Sequence, residues 1–275
     1  MPTSRTLGAI AVALVAVLGL GGCAALEFAF GTDEQTMSSR PTTEEDDDFG
    51  TVNIYDVTDE GTLDPATNGL AANVWETFTR VTTIDFAGEV VVQFRTGDAP
   101  DSDTLAYVYQ DDDPNYWVLA ANLATSEDEN QLIATLIHEY AHILTLGLEE
   151  VSPATDCSTL ELSEGCVHEE SMLQAFNEEF WAMYGDAAPA PDNVDGDIAY
   201  DFYLEHEDDF VSDYAATNVV EDIAETFMTF VLEPAPDSSE SVVAQKLGFF
   251  WGYPEMVAIR ERIRTEFADD LGLEE

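Results

Sequence analysis

Two of the four histidines in the chain stand four residues apart in an apolar segment, "LIATLIHEYAHILTLG", residues 132–147. In a helix this spacing places His138 and His142 one turn apart on one face, so both imidazole rings can point at the same spot. Neutral imidazole is a good zinc ligand, and two at this spacing provide two corners of a tetrahedral site. Glu139 would lie at the edge of that site, where its carboxylate can accept a proton from water. The segment therefore predicts a metal site with a base beside it.

The five residues "HEYAH" also match the motif His-Glu-x-x-His of zinc metallopeptidases. The alternative is a core helix with two hydrogen-bonded histidines and a solvated glutamate, and a chain with only four histidines makes this alternative weaker. The metzincin form of the motif would require glycine at position 145 and histidine at position 148. Thr145 and Leu148 occupy these positions, so the sequence excludes the metzincin class.

A catalytic zinc needs a third ligand from the protein. The segment "SDYAATNVVEDIAETFMTFVLEP", residues 212–234, predicts a second amphipathic helix with Glu221 and Glu225 one turn apart. Two such carboxylates repel each other unless a cation or a hydrogen-bond donor lies nearby, so Glu221 is the predicted third ligand. The alternative is a capping box of Asn218 and Glu221, because the helix dipole stabilises a first-turn glutamate without any metal. His206 is a competing donor or ligand, although its acidic neighbours favour a solvated charge pair.

The segment "DYAATNVVEDIAETF" has Tyr214 eleven residues before Glu225 and ends in Ala-Glu-x-Phe. It resembles the corresponding segment in the catalytic domain of anthrax lethal factor and its gluzincin relatives. The resemblance covers these 15 residues and "HEYAH". It implies a zincin-like, two-lobed metallopeptidase fold in which Glu221 binds zinc, Glu225 supports the site and Tyr214 donates a hydrogen bond to the oxyanion. Without the resemblance, Tyr214 would be interpreted as a tyrosine that packs where the helix begins.

The remaining patterns place these two helices in an α+β fold. Segments rich in β-branched and aromatic residues predict four strands, which begin at Thr51, Glu89, Leu105 and Tyr116. Residues 68–82 predict a helix between the first two strands. After residue 127 the pattern predicts helices only. The helix with "HEYAH" is expected to begin at a capping box of Ser126 and Glu129 and to end at Gly147.

Residues 1–23, "MPTSRTLGAIAVALVAVLGLGGC", have the order of regions of an export signal, and "LGGC" resembles the lipobox in which Cys23 would be lipidated. An ordinary secretory signal and an uncleaved anchor are the alternatives. Residues 24–48 are acidic and without periodicity, which predicts a flexible tether before a metallopeptidase domain at residues 49–275. Outside the cytoplasm Cys157 and Cys166 are a plausible disulfide, with two free thiols as the alternative.

The chain has 8 lysines and arginines against 57 aspartates and glutamates, a formal net charge of -49. Such a charge repels phosphate backbones, so nucleic acid is excluded as a partner. We expect a lipid-anchored zinc metalloendopeptidase outside the cytoplasm, with one zinc per chain and a peptide substrate paired to the edge of the strand from Tyr116. The alternative is a catalytically silent zincin-fold lipoprotein that binds a partner at the cell surface, and the intact Glu139 argues against it. The sequence leaves the oligomeric state open.

Overall fold

The computed structural model describes residues 40–272, so the predicted signal peptide, Cys23 and the first part of the predicted tether lie outside the described residues. The described part of the chain is a mixed α+β fold. Its strands are β1 (Thr42–Asp46), β2 (Gly50–Val57), β3 (Leu63–Asp64), β4 (Val91–Gly97), β5 (Ala106–Gln110), β6 (Trp117–Asn122), β7 (Val151–Ser152), β8 (Glu161–Leu162) and β9 (Gly165–Val167). Its helices are α1 (Leu70–Thr82), α2 (Ile84–Val90), α3 (Glu129–Leu146), α4 (Met172–Phe176), α5 (Gly196–His206), α6 (Val219–Leu232), α7 (Val242–Phe249), α8 (Pro254–Glu266) and α9 (Ala268–Leu271).

The main sheet has the strand order β1-β2-β4-β6-β5, and β3 pairs with β2. Strands β4 and β6 run parallel, and the other neighbouring strands are antiparallel. The four predicted strands are β2, β4, β5 and β6, and each begins within two residues of the expected position. Every residue of β6 is buried, because this strand has a neighbour on each side and both of its faces are covered.

The prediction that the strand from Tyr116 offers its edge to a peptide is wrong. That strand is β6, and its backbone is hydrogen-bonded to β4 on one side and to β5 on the other. Among the described strands β5 pairs only with β6, so β5 is the edge strand at this side of the sheet.

Strand β1 lies in the segment that the sequence predicts as a tether, so the folded part begins before residue 49. It pairs with β2 over its full length. In the turn between the two strands, the Asp46 carboxylate accepts hydrogen bonds from the backbone N–H groups of Asp48 and Phe49. Four of the five β1 residues are exposed. The strand therefore shows no alternation of apolar and polar residues by which the sequence could reveal it.

Helices α1 and α3 pack together on one face of the sheet. The Trp75 ring of α1 lies 5.5 Å from the Phe94 ring of β4, measured between ring centroids, and its indole N–H donates to the Gly61 carbonyl at 2.9 Å. Helix α3 packs against α1 and also against α6. Twelve of its 18 residues are buried, which makes α3 a central helix with neighbours on nearly every side.

The start of α3 differs from the prediction. The Asp128 side chain accepts a hydrogen bond from the backbone N–H of Gln131 at 3.1 Å, so Asp128 is the N-cap. The Ser126 hydroxyl donates instead to the Asn122 carbonyl at 2.7 Å, which fastens the connection to the end of β6. The helix ends before Gly147, as predicted.

The second half of the chain is not helical throughout, because residues 151–167 contain a three-stranded sheet in the order β7-β9-β8. Each of its strands has only two or three residues, too few for a strand period to be visible in the sequence. A disulfide joins Cys157, in the loop between β7 and β8, to Cys166 of the central strand β9, with 5.2 Å between their Cα atoms. Helix α6 packs against α3, α7 and α8. No helix in residues 40–272 is long and apolar enough to cross a membrane.

Candidate metal centre

The packing of α3 against α6 brings together the residues that the sequence selects. Helix α3 carries His138, Glu139 and His142, which are 6%, 5% and 8% exposed. Helix α6 carries Glu221 in its first turn and Glu225 one turn later. The two histidines are presented on one face by the four-residue spacing, and the two glutamates are presented towards them in the same way. Five polar side chains thus meet in the interface between two largely apolar helices.

The side chains of His138, His142 and Glu221 converge on one point. The two Nε2 atoms lie 2.9 Å apart, and Glu221 Oε2 lies 3.1 Å from Nε2 of His138 and 3.3 Å from Nε2 of His142. The three residues form a group that could hold a metal ion. A tetrahedral zinc with bonds of about 2.0–2.1 Å would separate its ligand atoms by about 3.3 Å, close to the distances observed here.

The hydrogen bonds around His138 determine which of its nitrogens faces this point. Nδ1 of His138 lies 2.8 Å from Glu225 Oε1, and the Ser212 hydroxyl donates to the other oxygen of Glu225 at 2.6 Å. A carboxylate only accepts, so Nδ1 of His138 carries a hydrogen, and in the neutral form of the ring Nε2 carries the lone pair. This orientation of the ring suits a metal ligand with a carboxylate behind it.

Glu221 supports the same interpretation. Its Oε2 atom is buried, and no group among the described residues gives it a hydrogen bond of acceptable geometry. It lies 3.1 Å from Nε2 of His138. Acceptor atoms this close, and this far from water, repel each other unless a proton or a metal cation lies between them. The donor set of two imidazoles and a carboxylate therefore fits a divalent transition metal.

The charges in the interface shift the pKa values of these groups strongly. Burial would lower the pKa of His138, but its close contacts with the carboxylates of Glu221 and Glu225 raise it well above its usual value. Burial would raise the pKa of Glu221, but attraction to His142 and the contacts with both imidazoles lower it far below its usual range. Burial would likewise raise the pKa of Glu225, and its bonds to His138 and Ser212 lower it. Both glutamates are thus held as carboxylates, the form in which they bind or support a cation.

Glu139 and Tyr214 lie beside the three converging side chains. Burial raises the pKa of Glu139, although attraction to His138 and His142 opposes the rise. Tyr214 lies on a short 3-10 turn, Tyr214–Ala216, just before α6, and its ring centroid is 5.8 Å from that of His138. Although Tyr214 is 52% exposed, desolvation of its hydroxyl on the side of the cleft and the neighbouring carboxylates raise its pKa well above the usual value, so the phenol keeps its hydrogen and can act as a donor.

Two cavities open on either side of this group. The larger, of about 500 Å³, has apolar walls from Leu105, Ala134 and Met228. The smaller, of about 250 Å³, is bordered by Val108 and Leu162. His138, Glu139, Tyr214 and Ala106 line both cavities. Because Ala106 and Val108 belong to β5, the edge strand runs along the cleft that contains the candidate metal centre.

The structure places the other two histidines away from this group. His206 packs at a tilt against the aromatic rings of Tyr184 and Phe202, with ring centroids 4.7 Å and 4.8 Å apart. Nδ1 of His168 lies 3.1 Å from the Glu149 carbonyl oxygen in an exposed loop. Neither histidine is therefore a competing ligand.

The sequence did not identify Ser212, whose hydroxyl supports Glu225, because a single serine in a loop belongs to no motif or helical period. The sequence also presented a cap at Asn218 as the alternative to a ligand role for Glu221. The Asn218 side chain does cap α6, since it accepts hydrogen bonds from the N–H groups of Val220 and Glu221. The same glutamate points at the two histidines. The cap and the ligand position are thus compatible rather than alternatives.

The chain matches no protein-family model, no curated protein and no solved structure, so the case for its function rests on the site itself.

Proposed function

We propose that this chain is a zinc-dependent metalloendopeptidase with a zincin-like, two-lobed fold. The observation that carries the proposal is the convergence of two imidazole nitrogens and a carboxylate oxygen within 3.3 Å, with a further buried carboxylate, Glu139, next to them. A purely structural cluster would pair each of these atoms with a hydrogen-bond donor or acceptor. Here two ring nitrogens and a carboxylate oxygen converge on one point, Glu221 Oε2 has no hydrogen-bond donor of acceptable geometry among the described residues, and a base adjoins them.

In this proposal His138, His142 and Glu221 hold the zinc, and one ion binds per chain. Two imidazoles and one carboxylate are a common ligand set of catalytic zinc, which keeps a further position open for water or substrate. When bound, zinc acts as a Lewis acid that makes water a better nucleophile and polarises the peptide carbonyl. Glu225 fixes the His138 ring through Nδ1, and Ser212 fixes Glu225.

Glu139 moves the proton. Its carboxylate accepts a proton from the attacking water and then delivers it to the nitrogen of the leaving amine, so one residue acts first as base and then as acid. Tyr214 donates a hydrogen bond to the peptide oxygen, on which negative charge develops in the transition state. Because this charge is absent from the bound substrate, the bond raises the rate of the chemical step rather than the affinity.

The substrate binds as an extended segment along β5. The edge of this strand provides backbone hydrogen bonds of the kind that extended peptides use when they add to a sheet. The cleft passes from the larger, apolar cavity to the smaller one, with His138 and Glu139 between them. A peptide in this position presents a bond to Glu139, and an apolar side chain beside that bond fits the wall formed by Ala134 and Met228.

The proposal includes export and a lipid anchor at Cys23, on the strength of the sequence pattern alone. An enzyme so placed would meet proteins outside the cytoplasm. The net charge of -49 favours neutral or basic peptides over acidic ones, and salt weakens this preference because it screens the charge.

The test is hydrolysis of a mixed peptide library by the purified protein with zinc, followed by mass spectrometry of the products. We expect wild type to cleave peptides and Glu139→Gln to lose activity by at least about 100-fold, since the base is removed. Glu129→Gln, a substitution at an exposed glutamate in the first turn of the same helix, is the matched control and should remain active. Zinc binding without any hydrolysis by wild type would contradict the peptidase and favour a silent binding lipoprotein with the same fold.

A further inference from the structure

Lys246, the only lysine in the chain, is completely buried in α7. Its ammonium nitrogen lies 2.7 Å from Asp222 Oδ2, and Asp222 is also completely buried. The same nitrogen donates to the backbone carbonyl of Asp209 at 2.8 Å and lies 3.9 Å from the centre of the Phe210 ring. One cation therefore contacts both α6 and the segment that precedes it.

The Asp222 carboxylate has further partners. Its Oδ2 accepts the indole N–H of Trp181 at 2.7 Å, and its Oδ1 accepts the Thr226 hydroxyl at 3.2 Å. We call Lys246, Asp222 and Trp181 the lysine cluster. Because each charged atom in the lysine cluster has a partner, the cluster has a single well-defined arrangement.

Stability alone does not explain the lysine cluster. The free energy needed to remove two charges from water commonly exceeds the attraction that they gain, and apolar replacements of buried ion pairs are often neutral for stability. Three apolar side chains would fill the same space without this cost. What an ion pair provides, and apolar packing does not, is a fixed direction for each partner.

The two elements that Lys246 contacts both carry residues of the candidate metal centre. Asp222 is adjacent to Glu221, so the bond from Lys246 to Asp222 fixes the turn of α6 from which Glu221 points at the histidines. Phe210 precedes Ser212 by two residues and Tyr214 by four. The contacts of Lys246 with Asp209 and Phe210 thus hold the start of the segment that leads into α6. This segment carries Ser212, which supports Glu225, and Tyr214, the proposed oxyanion donor.

We propose that Lys246 is a positioning residue, which through Asp222, Asp209 and Phe210 sets Glu221 and the 212–214 segment against the two histidines. Its effect on metal affinity and turnover rests on the proposed function. Its effect on the position of α6 and of the 212–214 segment does not rest on the proposed function, and this effect can be measured without metal.

The decisive variant is the double substitution Lys246→Met and Asp222→Asn. It removes both charges together, and the asparagine keeps an acceptor for Trp181, so no charge is left buried without a partner. The matched control is Arg260→Met. Arg260 is also a buried cation, on α8, and its guanidinium donates to the carbonyls of Val231 and Glu233 at the far end of α6 from Glu221.

The first measurement is amide hydrogen exchange of the metal-free protein. In the double variant we expect exchange in residues 209–225 to become at least about tenfold faster while the α3 amides keep their protection. Arg260→Met should leave residues 209–225 as in wild type. Unchanged exchange there in the double variant, or an equal increase in both variants, would overturn the proposal.

The second measurement is zinc affinity by competition with a chelator, together with kcat and KM. The double variant should bind zinc about 10-fold to 100-fold more weakly, as is typical when the support of a metal ligand is lost. Its kcat should fall with little change in KM, and Arg260→Met should keep both values. Wild-type zinc affinity and kcat in the double variant would also overturn the proposal. Failure of wild type to bind zinc would instead overturn the proposed function, and hydrogen exchange would still decide the role of Lys246.

Discussion

Replacement of Glu225 by glutamine tests how the site holds His138. Glu225 Oε1 lies 2.8 Å from Nδ1 of His138, and the Ser212 hydroxyl holds its other oxygen at 2.6 Å. The glutamine keeps the size of the side chain and one carbonyl oxygen, so it removes chiefly the negative charge. Carboxylates behind metal-ligating histidines are typically worth about 10-fold to 100-fold in metal affinity, which is about 1.4–2.8 kcal/mol. We expect Glu225→Gln to lose about tenfold, at the lower end of this range, and Glu225→Ala to lose about 100-fold.

The assay is a zinc titration against a chromophoric chelator, with thermal unfolding of the metal-free protein to show that each variant is folded. Glu261→Gln in α8 is the matched control, because that exposed glutamate lies outside the site and should leave the affinity unchanged. If Glu225→Gln and Glu225→Ala both bind zinc as tightly as wild type, the bond between Glu225 and His138 does not support a metal ligand, and the reasoning is refuted.

Three further predictions concern the cleft around the site. Tyr214→Phe should reduce kcat by about 100-fold to 1000-fold, as loss of an oxyanion donor does, while zinc stoichiometry stays at one; an unchanged kcat would contradict the donor role. Ala134→Phe should fill part of the larger cavity and raise KM for peptides with a large apolar side chain beside the cleaved bond. KM for peptides with alanine at that position should change little. Equal effects on both kinds of peptide would show that the cavity does not select substrates. Replacement of Cys157 and Cys166 by serine should lower the free energy of unfolding by about 2–3 kcal/mol, because the disulfide restricts the unfolded chain by closing a loop. Urea denaturation measures the change in this free energy. An unchanged denaturation midpoint would contradict the prediction.

The elements around the site were predictable because each has a strong local pattern. Helix α3 shows a helical period over many residues, and its two histidines had to share a face once it was a helix. Glu221 and Glu225 followed in the same way from the period of α6. The sequence alone left open whether Glu221 is a ligand or part of a cap, because that question depends on which helix packs against α6. Tertiary contact shows that the two roles are compatible, since Glu221 both follows the capping residue and points at the histidines.

The features that could not be predicted depend on partners far away in the chain. Ser212 supports Glu225 only because the loop before α6 folds back over that helix. The burial of Lys246 follows from contact between α7 and residues 209–222, and no local sequence pattern predicts this contact. Strand order is another such property. Strands β5 and β6 have similar composition, and only their pairing shows that β5 has the open edge.

The central claim is that His138, His142 and Glu221 hold one catalytic zinc, and elemental mass spectrometry of the purified protein tests it most directly. We expect one zinc per chain in wild type, in Glu139→Gln and in His206→Ala, which removes a histidine outside the site. We expect less than a tenth of that zinc in His142→Ala and Glu221→Ala after dialysis against a weak chelator, because each loses a ligand. Wild-type protein without zinc, or Glu221→Ala with a full zinc content, would contradict the claim.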